Sequence, residues 1–305
     1  MRRRFIGGAC AVMAAAVAVS ALTAQSGAAS LPGTGKPAVV IGDKNFAEEF
    51  ILGSLYADAL KAEGYSVTLK GNIGSSELTW KALLSNQIQL YPEYTGEILS
   101  TIAGFTNNPT SATAAYTQAK GYASKHGLTL LSPTPFYDSD ALAVTAAYAK
   151  AHGLKTISDL KKLGHGVVLG AASTFATRFE GLVGLKKEYG INPTFKPIAI
   201  GLGYTALNSG KVDVQDVFTT DGQLATPGKY VILTDPKHVF GYQNVVPVVQ
   251  SKILAKEGPQ FAATLNKVDA LLTFKAMQQM NKAVSIDQDQ PAAVAAAFLK
   301  ANGIG

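Results

Sequence analysis

The residues able to do chemistry are few and badly spaced for catalysis. The four histidines, His126, His152, His165 and His238, are scattered, and three of them directly precede glycine. None forms an i, i+4 pair or an HExxH run, so no metal site is legible. Gly201-Leu202-Gly203 lacks the third glycine of a dinucleotide fingerprint, and no Gly-x-Ser-x-Gly elbow occurs. The single cysteine, Cys10, lies in the amino-terminal leader. The rest of the chain has no thiol for a disulfide, a nucleophile or a thiolate metal site. The expectation is a protein that binds rather than catalyses and needs no cofactor.

Positioning any binding residue requires a scaffold, and the first stretch is not part of it. Residues 1–29 read as an export signal: Arg2, Arg3 and Arg4, then an apolar run from Ala9 to Leu22, then small residues up to Ala28 and Ala29. The run is shorter than the roughly 20 residues of a spanning helix. Export to the periplasm or another extracytoplasmic space follows, without stable membrane insertion once the signal is removed. The consecutive arginines leave ordinary and twin-arginine export both open. Of the formal net charge of +6, three charges belong to these arginines. The remaining bias is too weak to point to nucleic acid.

Beyond a Pro/Gly leader at 31–37, strand and helix patterns alternate. Val39-Val40-Ile41-Gly42 reads as a buried strand, and Asn45 is placed to cap a helix whose apolar face is Ile51, Leu52, Leu55, Tyr56, Ala59 and Leu60. A strand at 65–70, a helix capped by Ser75 or Ser76 and running to Leu84, and a strand at 88–91 follow. A second series reads strand 141–144, helix 158–163, strand 167–169, helix 178–188, strand 197–200, helix 204–209, and strands 212–218 and 230–233. After Asn244 the pattern reads as two or three helices packed back on the first half, with no fresh strand series. Alternation of this kind predicts an α/β fold with mostly parallel sheets in two lobes, 38–139 plus 244–305 and 140–243, joined by crossovers that make a hinge. The cleft belongs at the carboxyl ends of the strands. Trp80 sits among Leu78, Ala82, Leu83 and Leu84 and reads as core.

Six stretches then carry a resemblance. Ile41-Gly42-Asp43-Lys44-Asn45-Phe46, Tyr91-Pro92-Glu93-Tyr94-Thr95-Gly96 and Phe218-Thr219-Thr220-Asp221-Gly222-Gln223 resemble the glycine betaine/choline/carnitine-binding proteins of ABC transporters. So do Leu154 to Leu160, Gly201 to Leu207, and Phe175-x-x-Arg178 ahead of Gly181. The likeness is collinear from residue 38 onward. It implies a type II periplasmic-binding-protein fold, a quaternary-ammonium ligand held by aromatic rings, and a permease and ATPase as partners. A quaternary ammonium donates no conventional hydrogen bond, so ring faces attract it by about 0.5–2 kcal/mol each. Carried onto this chain, Tyr94 and Tyr204 are the implied cage members and Tyr91 a neighbour. Thr220 and Asp221 belong to a polar strand-end motif at the cleft, and Asn45 is a cap that also faces it.

Three acids depart from the family's pattern: Glu49 and Glu97 where amide or hydroxyl groups meet a ligand carboxylate, and Asp140 where a cage tyrosine stands. Carboxylates repel a zwitterion and suit a cation, which favours choline over glycine betaine. The first-turn positions of Glu49 and Glu97 also suit the helix dipole, which leaves a purely structural role open for both. Arg178 either bridges the lobes or sits in solvent. A same-fold receptor for another cation, a polyamine or an amino acid, stays open, and convergence of Tyr94 and Tyr204 on one point would favour the compact ammonium head.

Overall fold

Among the described residues, ten strands make two five-stranded sheets with the same spatial plan. In chain order they are β1 (Val39–Gly42), β2 (Val67–Lys70), β3 (Leu90–Tyr94), β4 (Leu128–Leu130), β5 (Asp140–Thr145), β6 (Val168–Ala171), β7 (Thr194–Pro197), β8 (Val214–Phe218), β9 (Tyr230–Leu233) and β10 (Val245–Gln250). The first sheet has the order β2-β1-β3-β10-β4 and the second β7-β6-β8-β5-β9. The computed structural model describes residues 30–107, 109–163 and 166–305. The predicted export signal, Cys10 and His165 lie outside the described residues. Among the described residues no helix is long and apolar enough to cross a membrane.

The sheets are mixed rather than mostly parallel. β1 pairs in parallel with β2 and β3, and β6 with β7 and β8, but β10 runs antiparallel to β3 and β4 and β5 antiparallel to β8 and β9. The two antiparallel strands are those entered from the other sheet: β5 follows the crossover after β4, and β10 the crossover after β9. The crossovers lie side by side, with Asp138 N–H donating to the Gln243 carbonyl at 3.0 Å and Tyr137 bridged to Asn244.

β10 contradicts the expectation of helices alone beyond Asn244. Its six residues are all buried between β3 and β4. Pro247, which argues against a central strand, stands opposite Pro92 of β3. Neither residue has an N–H, so the pair fits a position where neither strand needs a donor from the other. Four helices, Ser251–Glu257, Pro259–Leu271, Phe274–Ser285 and Pro291–Ala301, complete the chain.

Alternation along β1 and β10 explains the layers. Val39, Ile41, Val245 and Val249 face a core closed by helix Ala47–Ala62 and by Phe261, Leu265, Val268, Met277 and Leu299 of the C-terminal helices. Val246 and Val248 face the opposite core, where Trp80 packs beside Leu83, Tyr91 and Ile98 and lies 6.0 Å from the Tyr122 ring. Leu142, Val144, Leu169 and Val214 carry the core of the second sheet.

Local differences from the sequence reading are physical. The helix after β1 begins at Ala47, and Phe46, not Asn45, holds the cap position in extended backbone with no side-chain cap. Ser75 holds the cap position of helix Ser76–Leu84 without a side-chain cap bond. Where a helix is expected over 178–188, two π-helical turns, Phe179–Val183 and Leu185–Tyr189, are interrupted at Glu180 and Gly181. A Cβ at Gly181 would stand 2.2 Å from the Phe175 carbonyl oxygen, so only glycine admits this close approach.

Candidate ligand-binding site

The strand ends of both sheets converge on a cavity of about 440 Å³. The stretch after β1 supplies Lys44, Asn45 and Phe46, and β3 ends in Tyr94, followed by Glu97. The second sheet supplies Asp140 at the start of β5, Asp216 and Phe218 on β8, and Ser173, Thr174 and Phe175 after β6. β5 is antiparallel, so its first residue reaches the side where its neighbours end. That register sets Asp140 directly opposite Phe218, an acid beside a ring.

A second cavity of about 270 Å³ adjoins the first and shares with it Asn45, Phe46, Asp138, Asp216 and Phe218, together with Ala172 and residues 198–200. Tyr204, Thr220 and Asp221 line the second cavity alone. Tyr94 and Tyr204 therefore line different, adjoining cavities. The rings facing the larger cavity are Phe46, Tyr94, Phe175 and Phe218. Tyr94 and Phe218 flank Phe46 at centroid distances of 6.2 and 5.2 Å. Tyr91 lines neither cavity: it is fully buried and donates its hydroxyl to Glu93 at 2.8 Å.

The acids sort into paired and unpaired. Glu49, which lines neither cavity, is buried beneath Lys44, accepts the Lys44 backbone N–H at 3.1 Å and lies 3.8 Å from its ammonium. Burial pushes its carboxyl up to about 8 against the pull of Lys44, so Glu49 holds its proton at neutral pH and repels nothing in the cavity. Lys44 pairs with Glu93. Burial alone would strip the ammonium of its proton, but Glu93, Glu49 and Glu97 together hold it above the usual lysine value. The same ammonium stands 4.3 Å from the centre of the Tyr94 ring, so this ring face already carries a cation. Glu97 lies 3.3 Å from Arg178, whose other nitrogen is 3.1 Å from Glu77. Arg178 thus ties the π-helical segment of the second half to two elements of the first.

Asp138, Asp140 and Asp216 face the cavity, and among the described residues none of them forms an ion pair. Burial raises Asp138 to about 6, against the Thr220 N–H and the Thr219 hydroxyl that donate to it at 3.0 and 3.1 Å. Burial and then Glu97 push Asp140 up to about 7, opposed by Arg178. Asp216 is raised well above the usual range by burial and then by Asp140. In the second cavity, burial and Asp138 bring Asp221 to about 7, although Tyr204 donates to it at 2.8 Å. The Thr220 hydroxyl donates at 2.6 Å to Glu48, which also accepts from Tyr94 and Asn281 at 2.9 and 2.7 Å.

Arg178→Ala is expected to move the titration of Asp140 above about 7, because it deletes the group that holds that carboxyl down. Carbon NMR of the side-chain carboxyls reads this directly, and an unchanged midpoint would reject the assigned electrostatics.

Sequence reasoning missed Lys44, Phe46, Asp138, Phe175, Asp216, Phe218 and Gln243 as cavity residues. Several lay inside the quoted motifs, where spacing alone does not say which member faces the cleft.

The profile described as the substrate binding domain of the ABC-type glycine betaine transport system matches residues 37–301. A glycine-betaine-binding protein of Pseudomonas aeruginosa is 33% identical over 272 residues, covering 85% of this chain and 86% of that protein. A carnitine transport binding protein of Listeria monocytogenes is 28% identical over 313 residues, covering 99% and 98%. A solved structure described as a glycine betaine/carnitine/choline ABC transporter superposes with a TM-score of 0.72 at 29% identity, covering 87% of this chain and 99% of that one. With the two mixed sheets of a type II periplasmic-binding-protein fold, the chain belongs to the family of substrate-binding domains of ABC-type glycine betaine transport systems, a family of transport proteins and not of enzymes.

Proposed function

We propose that this protein captures a quaternary-ammonium cation, choline in preference to glycine betaine, in the larger cavity. It delivers that cation to a membrane permease driven by a cytoplasmic ATPase, from the periplasmic or extracytoplasmic side. The lobes are 38–139 with 244–305, and 140–243, and they hinge on the paired crossovers. Ligand stabilises the closed arrangement by its higher affinity for it. The observation that carries the charge preference is the partition of the acids. Lys44 and Arg178 are taken up by Glu93, Glu77 and Glu97, while Asp138 and Asp140 face the cavity without an ion pair. A desolvated site with surplus carboxylate attracts a cation and repels a ligand carboxylate.

Parallel calorimetric titrations with choline and glycine betaine test this reading. Choline is expected to bind with about micromolar affinity, worth about 8 kcal/mol, and betaine at least about tenfold more weakly. Tight betaine binding rejects the charge argument. Among the rings, Phe218→Ala is expected to weaken choline by about tenfold, within the range of one desolvated cation–π contact. Tyr94→Ala is expected to do less, because the Tyr94 face already carries Lys44.

A second reading, an extended polyamine, draws on the adjoining cavity with Asp221 and on the separation of Tyr94 from Tyr204. Spermidine in the same titrations decides it: binding tighter than choline would replace the compact ligand with the extended one.

A further inference from the structure

We propose that Phe46 and Phe218 form a partition that divides the cleft and sets the upper size limit of the ligand. This rests on the reading that the larger cavity is the ligand site. The two rings are the stacked pair, 5.2 Å apart and 27° from parallel, that lines both cavities. One ring comes from each half of the fold. Phe46 is held in extended backbone at the cap of helix Ala47–Ala62 and packs on the first core. Phe218 ends β8, its N–H donating to Asp221 at 3.1 Å, while the next N–H, of Thr219, donates to the Ser139 carbonyl at 3.0 Å.

On one side of the stack lie Tyr94, Asp140 and Phe175, and on the other Tyr204, Asp221 and Asn281. The rings therefore do two things to a cation in the larger cavity. They offer aromatic surface, and they deny it the 270 Å³ beyond. Rejection by steric exclusion discriminates against longer or bulkier cations without improving any contact to the small one. Ala172, Ile198, Asp216 and their neighbours also line both cavities, so the stack is the aromatic part of the shared boundary, and removing either ring is expected to widen the passage between them.

The test is calorimetric titration of the full exported chain with tetramethylammonium, choline and tetrabutylammonium, repeated for Phe46→Ala, Phe46→Leu and Phe218→Ala. Wild type is expected to favour the two small ions over tetrabutylammonium by at least about tenfold. In Phe46→Ala the small ions weaken by about tenfold as a ring is lost, and tetrabutylammonium strengthens, so the ratio moves by about a hundredfold. Phe46→Leu separates the two roles: all ions weaken while the size limit persists. It also keeps the test available where an alanine variant fails to fold.

Tetrabutylammonium binding wild type as tightly as choline overturns the partition, as does a size ratio unchanged in both alanine variants. If no ion of any size binds wild type, the assignment of the larger cavity falls. In that case tetrabutylammonium binding gained only by the alanine variants would leave the partition standing, and its absence would overturn both.

Discussion

Lys44→Met is expected to lower the unfolding free energy by about 3–5 kcal/mol, the usual cost of removing one partner from a buried ion pair. Lys44 and Glu93 are almost fully buried, 3% and 0% exposed. Methionine fills most of the lysine volume, so the loss is electrostatic rather than a cavity effect. Glu93 would keep the Tyr91 hydroxyl and the Tyr94 N–H, at 2.8 and 2.9 Å, but lose its only ion-pair partner among the described residues. Glu49, raised to about 8 even with the ammonium beside it, would move higher still. Denaturant unfolding of the variant measures the cost, and the double variant Lys44→Met/Glu93→Gln is expected to recover most of it. A loss below about 1 kcal/mol, or no recovery in the double variant, would mean that the pair is not what holds this region. The outcome also bears on binding, since the variant clears the Tyr94 face for a ligand cation.

Affinity for a cation and stability of the empty protein are expected to respond to pH in opposite directions. Asp138, Asp140 and Asp221 have their carboxyls raised from 3.8 to about 6, 7 and 7, chiefly by burial. The folded chain therefore holds protons that the unfolded chain has already released. Their contribution to stability is fully present below about 3.8 and is lost as pH rises through about 6 to 7. A bound cation favours the ionised carboxylates, so affinity rises over the same range. For one group titrating near 7, binding at pH 6 is about tenfold weaker than at pH 8. Glu97, Arg178, Lys44 and Asp216 surround these groups and fix where the midpoint falls. Choline titrations at constant ionic strength, in buffers of different ionisation heat, read the affinity and the protons released together. Affinity that is flat, or that climbs toward acid, would remove the carboxylates from cation recognition.

Much of the scaffold was legible because it is written in short-range pattern. The apolar run Val39 to Gly42 is β1, the 3.6-residue period from Ile51 to Leu60 is the buried face of helix Ala47–Ala62, and Tyr230–Leu233 is β9 as expected. β10 was not legible. Its valine run carries a proline, and what makes the proline harmless is Pro92, which lies more than 150 residues earlier in the chain. The same limit blurred the boundaries of β3, read as ending at Tyr91 but continuing to Tyr94.

The site divides along the same line. Residue types and order sufficed to exclude thiol, histidine-metal and dinucleotide chemistry, to identify the family, and to point at strand ends carrying tyrosines and acids. Which of those acids is a free charge was a matter for the tertiary structure alone. Glu49 and Glu97 look alike in sequence, two first-turn glutamates after an aromatic motif, yet one lies under Lys44 and the other meets Arg178 from 81 residues away. Tyr94 and Tyr204 read alike in sequence, yet Tyr94 lines one cavity and Tyr204 the adjoining one, with Phe46 and Phe218 among the residues that line both. Local pattern determines which elements form and what chemistry they can carry. Pairing, burial and the sharing of a cavity depend on contacts between residues far apart in the chain, and only the packed sheets decide those.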